Sequence, residues 1–219
     1  MRLRILILLI GALLVVATFT FPLWQPYVQN TSVTTSGGEE IFPGLPARLQ
    51  TSFALLPPDQ QRAYFALAAI NRDAAVRMVT AALQPGAPAP AADADLPEMN
   101  SPELAARGAF TQLDPIRYAQ GTALIYIGAD DRKVLRLENF TSANNSDLRV
   151  ILSAFLSPTT TAEMRFNDLD FDVGPLKGTY GNQNYEIPQE LNILDYASVV
   201  IYSPGIDLIY SVAPLIIFQ

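Results

Sequence analysis

At 219 residues the chain has room for one substantial domain and an accessory segment, since a single domain commonly takes about 100–150 residues. Half of its residues are apolar and 16% are charged, which excludes wholesale disorder. There is no cysteine and no histidine, which excludes disulfides, thiolate zinc sites, iron–sulfur clusters and covalently attached c-type haem, and removes the commonest general base and transition-metal ligand.

The formal charge is −7, and from Gln25 onward 12 basic residues stand against 21 acidic ones. A surface of that sign repels phosphate backbones, so no nucleic acid is expected as a partner, nor an anionic lipid surface beyond an anchor.

The chain opens Met1-Arg-Leu-Arg4, then runs apolar from Ile5 to Phe21, with Pro22, Trp24 and Tyr27 beyond. Basic flank, apolar run and aromatic edge are the pattern of a signal anchor. Through Trp24 the segment reaches about 30 Å as helix, the lower limit for crossing a bilayer. Residues 1–24 are therefore expected to be a transmembrane helix, with residues 5–24 in contact with lipid. The next basic residue is Arg48, so the positive-inside bias puts the remainder outside the membrane. Secretion after signal cleavage is the alternative, although Ala17 is followed by Thr18, Phe19 and Thr20 rather than by a small-residue cleavage site.

Residues 25–56 mix Thr, Ser, Gly and Pro and read as a stalk. From Pro57 to Gln84 the composition turns to Ala, Leu, Gln and Arg, and a helical hairpin is expected with helices over 58–70 and 73–84. Asp73 is the candidate N-cap of the second, with Tyr64, Leu67 and Ala68 on one stripe and Val76, Val79 and Leu83 on the other. The stripes suit packing on each other or on a neighbouring domain; a partner-binding helix pair is the alternative. Residues 85–103, dense in Pro, Ala and acid, read as a semi-rigid linker.

Residues 104–219 have the texture of strands and turns. Strands are expected at 108–113, 121–127, 133–140, 148–154, 164–172, 183–187, 197–203, 206–213 and 215–218. Ile206, Leu208, Tyr210 and Val212 alternate with Asp207, Ile209 and Ser211. Short strands at regular spacing indicate a mainly β domain, a β-sandwich or a barrel.

The blocks GTALIY (121–126), KVLRLENF (133–140), SDLRVILS (146–153), DVGPLKGTYGNQNYEIP (172–188), YASVVIYS (196–203) and DLIYSVAPL (207–215) resemble, in order, those of the DM-thirteen domain family of Skeletor-like animal proteins and bacterial surface proteins. The resemblance spans residues 107–218. It implies a β domain of assigned electron-transfer role, with Gly121, Asn139, Phe140, Asp147, Leu148, Gly174, Leu176, Lys177, Gly178, Gly181, Asn184, Tyr185, Pro188 and Ser203 at motif positions. Gly174, Gly178 and Gly181 are expected to permit tight turns, Asn182 and Asn184 to bond turn backbone, and Tyr185 and Ile187 to enter a core. Family members often carry a histidine where this chain has Arg117-Tyr118 and a cysteine where it has Ser203. A serine hydroxyl cannot cycle between thiolate and disulfide, so the fold is expected to carry over without that redox chemistry.

Asp168, Asp170 and Asp172 alternate and would share one side of an extended segment, the arrangement of a weak calcium site. Neither Lys133 nor Lys177 has a serine three residues before it, which leaves no S-x-x-K nucleophile, and no enzyme activity is expected. Tyr118, Tyr126, Tyr180, Tyr185, Tyr196, Tyr202 and Tyr210 suit sheet packing, and an exposed subset would suit a glycan or peptide. Asn30, Asn139 and Asn144 lie in N-x-S/T sequons. The sequence thus predicts an anchored extracytoplasmic module, non-enzymatic and without a resident cofactor, binding an unidentified protein or glycan. A redox module and a calcium-dependent adhesion module are the competing expectations.

Overall fold

The computed structural model describes residues 40–165 and 169–218. The expected anchor at 1–24 lies outside them, and among the described residues no helix is long and apolar enough to cross a membrane. Residues from Ile41 onward form one compact unit.

Three helices come first: α1 (Ala47–Ala54), α2 (Pro58–Ile70) and α3 (Arg72–Ala82). The first occupies sequence expected to be stalk. Its turn is fixed by Gln50, a buried amide that accepts from the Phe42 N–H at 2.8 Å and donates to the Phe42 and Leu45 carbonyls, each at 2.9 Å. Scattered Ser, Gly and Pro concealed this helix because its order comes from packing: Phe42, Leu45, Leu49 and Phe53 are all buried. Pro57 and Pro58 open α2 with Asp59 in its first turn. The N-cap of α3 is Asn71, whose Oδ1 accepts from the Ala74 N–H at 3.0 Å, so Asp73 sits inside the first turn instead of capping it. Tyr64 on α2 and Ala75, Met78 and Val79 on α3 face inward.

Ten strands follow: β1 (Glu103–Ala109), β2 (Thr111–Gln112), β3 (Ala119–Ile127), β4 (Lys133–Ser142), β5 (Arg149–Ser153), β6 (Phe171–Pro175), β7 (Gln183–Ile187), β8 (Ser198–Ser203), β9 (Leu208–Pro214) and β10 (Ile216–Ile217). They form two antiparallel five-stranded sheets, ordered β10-β1-β3-β4-β7 and β2-β9-β8-β5-β6. This is a sandwich; neither sheet closes into a barrel. The strand expected over 108–113 is divided at Phe110, where the chain leaves one sheet for the other, and Leu215 returns it between β9 and β10. At that corner a Cβ on Gly108 would lie 2.5 Å from the Pro214 carbonyl oxygen, so only glycine permits the approach.

One contiguous core runs from Phe42 through Met78, Ile125, Leu137, Phe140, Leu152 and Val199 to Leu215, so cap and sandwich share it. A smaller cluster of Ile151, Val200, Ile209 and Val212 covers the outer face of the second sheet under Met164. Met164 belongs to a short helix, α4 (Thr161–Arg165), where an extended segment over 164–172 was expected; β6 begins only at Phe171. The expected alternation of β9 is also broken. Ile201 pairs with Ser211 but Tyr202 with Ile209, leaving Tyr210 as a bulge, so Tyr210 enters the main core while Ile209 and Val212 enter the smaller one.

Residues 85–103, expected to be a free linker, are strapped to the sandwich. The Thr179 N–H donates to the Ala87 carbonyl at 2.8 Å, the Ala87 N–H to Thr179 Oγ1 at 2.9 Å, and the Ala89 N–H to the Tyr180 carbonyl at 2.8 Å. Proline-rich composition marked the segment as semi-rigid, but showed neither the 3-10 turn at Ala91–Asp93 nor that its carbonyls have partners.

Candidate functional site

Two polar clusters built from the motif residues flank one cleft of about 430 Å³. The first lies where β8 ends. Ser203 is fully buried, and its hydroxyl donates to Asp147 Oδ1 at 2.6 Å. Asp147 Oδ2 accepts from the Gly205 N–H at 2.6 Å, closing the β8–β9 turn. Asn145 Nδ2 donates to Ser203 Oγ at 3.1 Å and to the Tyr210 hydroxyl at 2.9 Å. Burial, with the nearby Tyr64 and Asp147, pushes the Tyr210 phenol well above its ordinary range, against opposing contributions from Asn145 and Arg117.

The second cluster is built on the turn between β6 and β7. Gln183, fully buried, accepts at Oε1 from the Lys177 N–H at 2.9 Å, the Gly178 N–H at 3.2 Å and the Tyr185 hydroxyl at 2.8 Å, and donates to the Gly178 carbonyl at 2.8 Å. Burial raises the Tyr185 phenol as well, only partly offset by the bond from the Lys177 N–H. The Lys177 ammonium lies 4.9 Å from the Tyr185 ring centroid and 2.9 Å from Asp93 Oδ2. Buried Arg136 bonds Asn184 Oδ1 at 2.9 Å, Glu138 Oε1 at 2.9 Å and the carbonyls of Asp93 and Ala94 at 3.3 and 2.8 Å. Asn184 donates to the Asp95 carbonyl at 2.7 Å and Asn182 to that of Ala94 at 2.8 Å. The motif asparagines therefore bond strap backbone, not the turn backbone expected of them.

The remaining motif residues are structural. Gly121 (φ +107°) opposes Asn139 (φ +50°) across a bulge between β3 and β4, and the Asn139 N–H donates to Asn182 Oδ1 at 3.0 Å. Phe140 stacks edge-on against Phe110, their centroids 5.3 Å apart. Leu148 is in the core, and its carbonyl accepts from the Leu176 N–H at 2.8 Å. Gly174 and Gly181 take positive φ, as turns or bulges require, whereas Gly178 is needed for space: its Cβ would lie 2.5 Å from the Ala89 nitrogen. The Pro188 carbonyl accepts from the Leu191 N–H at 3.1 Å.

Of the three alternating aspartates, the structure describes two, and both carboxylates have partners within the sandwich. Asp168 lies outside the described residues, Asp170 Oδ1 accepts from the Ala154 N–H at 3.2 Å, and Asp172 is ion-paired with Arg149. Among the described residues no three acidic side chains converge on a point where a metal ion would fit. A carboxylate already facing a guanidinium has little charge left for a cation.

Sequence reasoning passed over Asn145, Gln183 and Arg136. Gln183 lies inside the most specific motif block, and Arg136 is the charged residue at the middle of an apolar strand; a charge there must be buried and paired or exposed, and the structure buries it.

Two antiparallel sheets, capped by helices and locked by turn clusters, define a β-sandwich module. Residues 116–215 match the family model described as Electron transfer DM13, and this segment is a DM13 domain. No curated protein and no solved structure matches the chain.

Replacing Ser203 by alanine is expected to lower stability by about 1–2 kcal/mol, because Asp147 and Asn145 each lose one partner while keeping another. Urea titration measures it; a neutral substitution would mean that the hydroxyl contributes nothing to the turn.

Proposed function

We propose that the protein is a membrane-anchored extracytoplasmic module that works by shape and surface contact, without catalysis and without a resident cofactor. The observation that carries this reading is Ser203. At the position where relatives of the family often have cysteine, this chain has a hydroxyl that is wholly buried and committed to Asp147 and Asn145. No histidine or cysteine occurs elsewhere to take over electron or proton traffic. A protein or glycan is the proposed partner. The family's electron-transfer description favours a second reading, a redox module, which would need a group other than Ser203 to carry the electron.

The purified full chain distinguishes the two. A module of the first kind shows no visible absorbance, no metal at unit stoichiometry and no voltammetric wave. Haem, flavin or copper retained at one per chain would establish the second.

A further inference from the structure

We propose that the helical cap rests on an anionic lipid surface, with Leu55 and the outer face of α2 at the interface. This rests on the membrane anchorage proposed above. The whole-chain charge argued against such a partner, but the charge is partitioned. Residues 40–84 carry four arginines against three carboxylates, whereas residues 85–219 carry eight basic residues against 17 acidic ones. The cap is cationic and the sandwich strongly anionic.

Ion pairing sharpens the difference. Among the described residues the ion pairs join Arg117, Arg132, Lys133, Arg136, Arg149 and Lys177 to carboxylates, all within the strap and sandwich. Arg48, Arg62 and Arg72, in the cap, take part in none of them, and Arg77 donates only to the Gly205 carbonyl. Arg48 and Arg77 line a cleft shared with Asp147 and Gly205, so Arg62 is the cation beside the exposed apolar side chains, and an unpaired arginine so placed is the chemistry of an interfacial helix on anionic headgroups.

The apolar component is present in the same cap. Leu55 is 81% exposed, Ile70 87%, Phe65 42% and Ile41 40%. Arg62 and Phe65, three apart, share the outer face of α2. The Phe65 ring lies 5.1 Å from that of Phe42 and 5.6 Å from that of Phe53, which places Ile41 and Leu55, one and two residues from those rings, near it. A second copy is a poorer occupant, because an isologous contact would set two cationic caps against each other.

The absence of native cysteine makes the test direct. Leu55→Cys and, as a control, Leu194→Cys carry a nitroxide on the full chain, in vesicles of phosphatidylcholine with and without phosphatidylglycerol. Leu194 is exposed and precedes the end of β8 opposite Ser203. With the anionic lipid, the Leu55 label is expected to lose at least about threefold of its collision rate with a water-soluble nickel complex while remaining open to oxygen. High salt, or Arg62→Glu at unchanged melting temperature, restores nickel access; the Leu194 label stays open throughout. A Leu55 label equally open in both lipids, on a chain that floats with the vesicles, overturns the docking and leaves anchorage standing. A chain that does not float overturns both, and dipolar broadening between Leu55 labels points to a second copy instead.

Discussion

Alanine at position 178 is expected to cost about 2–4 kcal/mol and to release the strap that precedes the sandwich. The added Cβ would lie 2.5 Å from the Ala89 nitrogen and 2.6 Å from the Pro88 carbonyl carbon. Both are backbone atoms, so relief requires the strap to move and not merely a side chain to rotate. Moving it strains the four bonds that tie Ala87 and Ala89 to Thr179 and Tyr180. For a domain of this size the loss corresponds to a melting temperature lower by about 5–15 °C. Arg136→Ala acts on the same strap from its other end, by removing the donors to Asp93 and Ala94 and leaving Asn184 Oδ1 without its guanidinium. The double variant is therefore expected to be less destabilised than the two single costs added together, since a strap already detached cannot be detached again. Calorimetry gives the energies, and hydrogen exchange at the Ala87 and Ala89 amides gives the location. Full additivity, with those amides still protected, would show that the strap is not the shared element.

The positions at which sequence and structure diverge share a cause. Period and turn chemistry made β3, β4, β7 and β8 legible, since Leu135 and Leu137 alternate about Arg136 and since Gly181 and Pro188 punctuate the strand between them. Helix α1 was not legible because nothing local marks it: its N-cap Pro46 makes no side-chain cap, and the helix is held by Gln50 and by aromatic contacts to residues of α2. The strap was misread for the same reason, since hydrogen bonds between residues some ninety positions apart leave no trace in local composition. Bulges are the third kind of omission. A single extra residue at Tyr210 moves every later side chain of β9 to the opposite face, and the pattern of apolar residues is the same with it or without it. In the candidate site, Ser203 and Asp147 were identified through family resemblance alone. That the two touch, with Asn145 completing the cluster, depends on the turn between β8 and β9 closing onto the loop before β5.

Raising the pH above about 10 is expected to unfold the protein cooperatively, because three buried phenols oppose ionisation together. Tyr64, Tyr185 and Tyr210 are each almost inaccessible, and burial is the largest cause holding each phenol well above its ordinary value near 10. For a group whose folded pKa is raised, the folded chain keeps a proton that the unfolded chain releases. The stabilisation is complete below the unfolded value and is lost as pH climbs from there toward the folded one. At about 1.4 kcal/mol per pH unit for each group, three tyrosines forfeit at most about 8 kcal/mol between pH 10 and 12. That is comparable with the whole stability of an ordinary domain, about 5–15 kcal/mol, so the midpoint should fall near pH 12. The tyrosinate absorbance contributed by these three phenols and the loss of ellipticity should then rise together in one step. Tyr210→Phe separates this from a general alkaline effect. Near neutrality the variant is expected to be weaker by about 1 kcal/mol, since Asn145 loses an acceptor while keeping Ser203. Above about pH 11 the order reverses, because the variant has one fewer buried phenol to ionise. Stability curves that never cross, or a gradual titration centred on the ordinary value with the fold intact, would mean that these hydroxyls reach water in the native state.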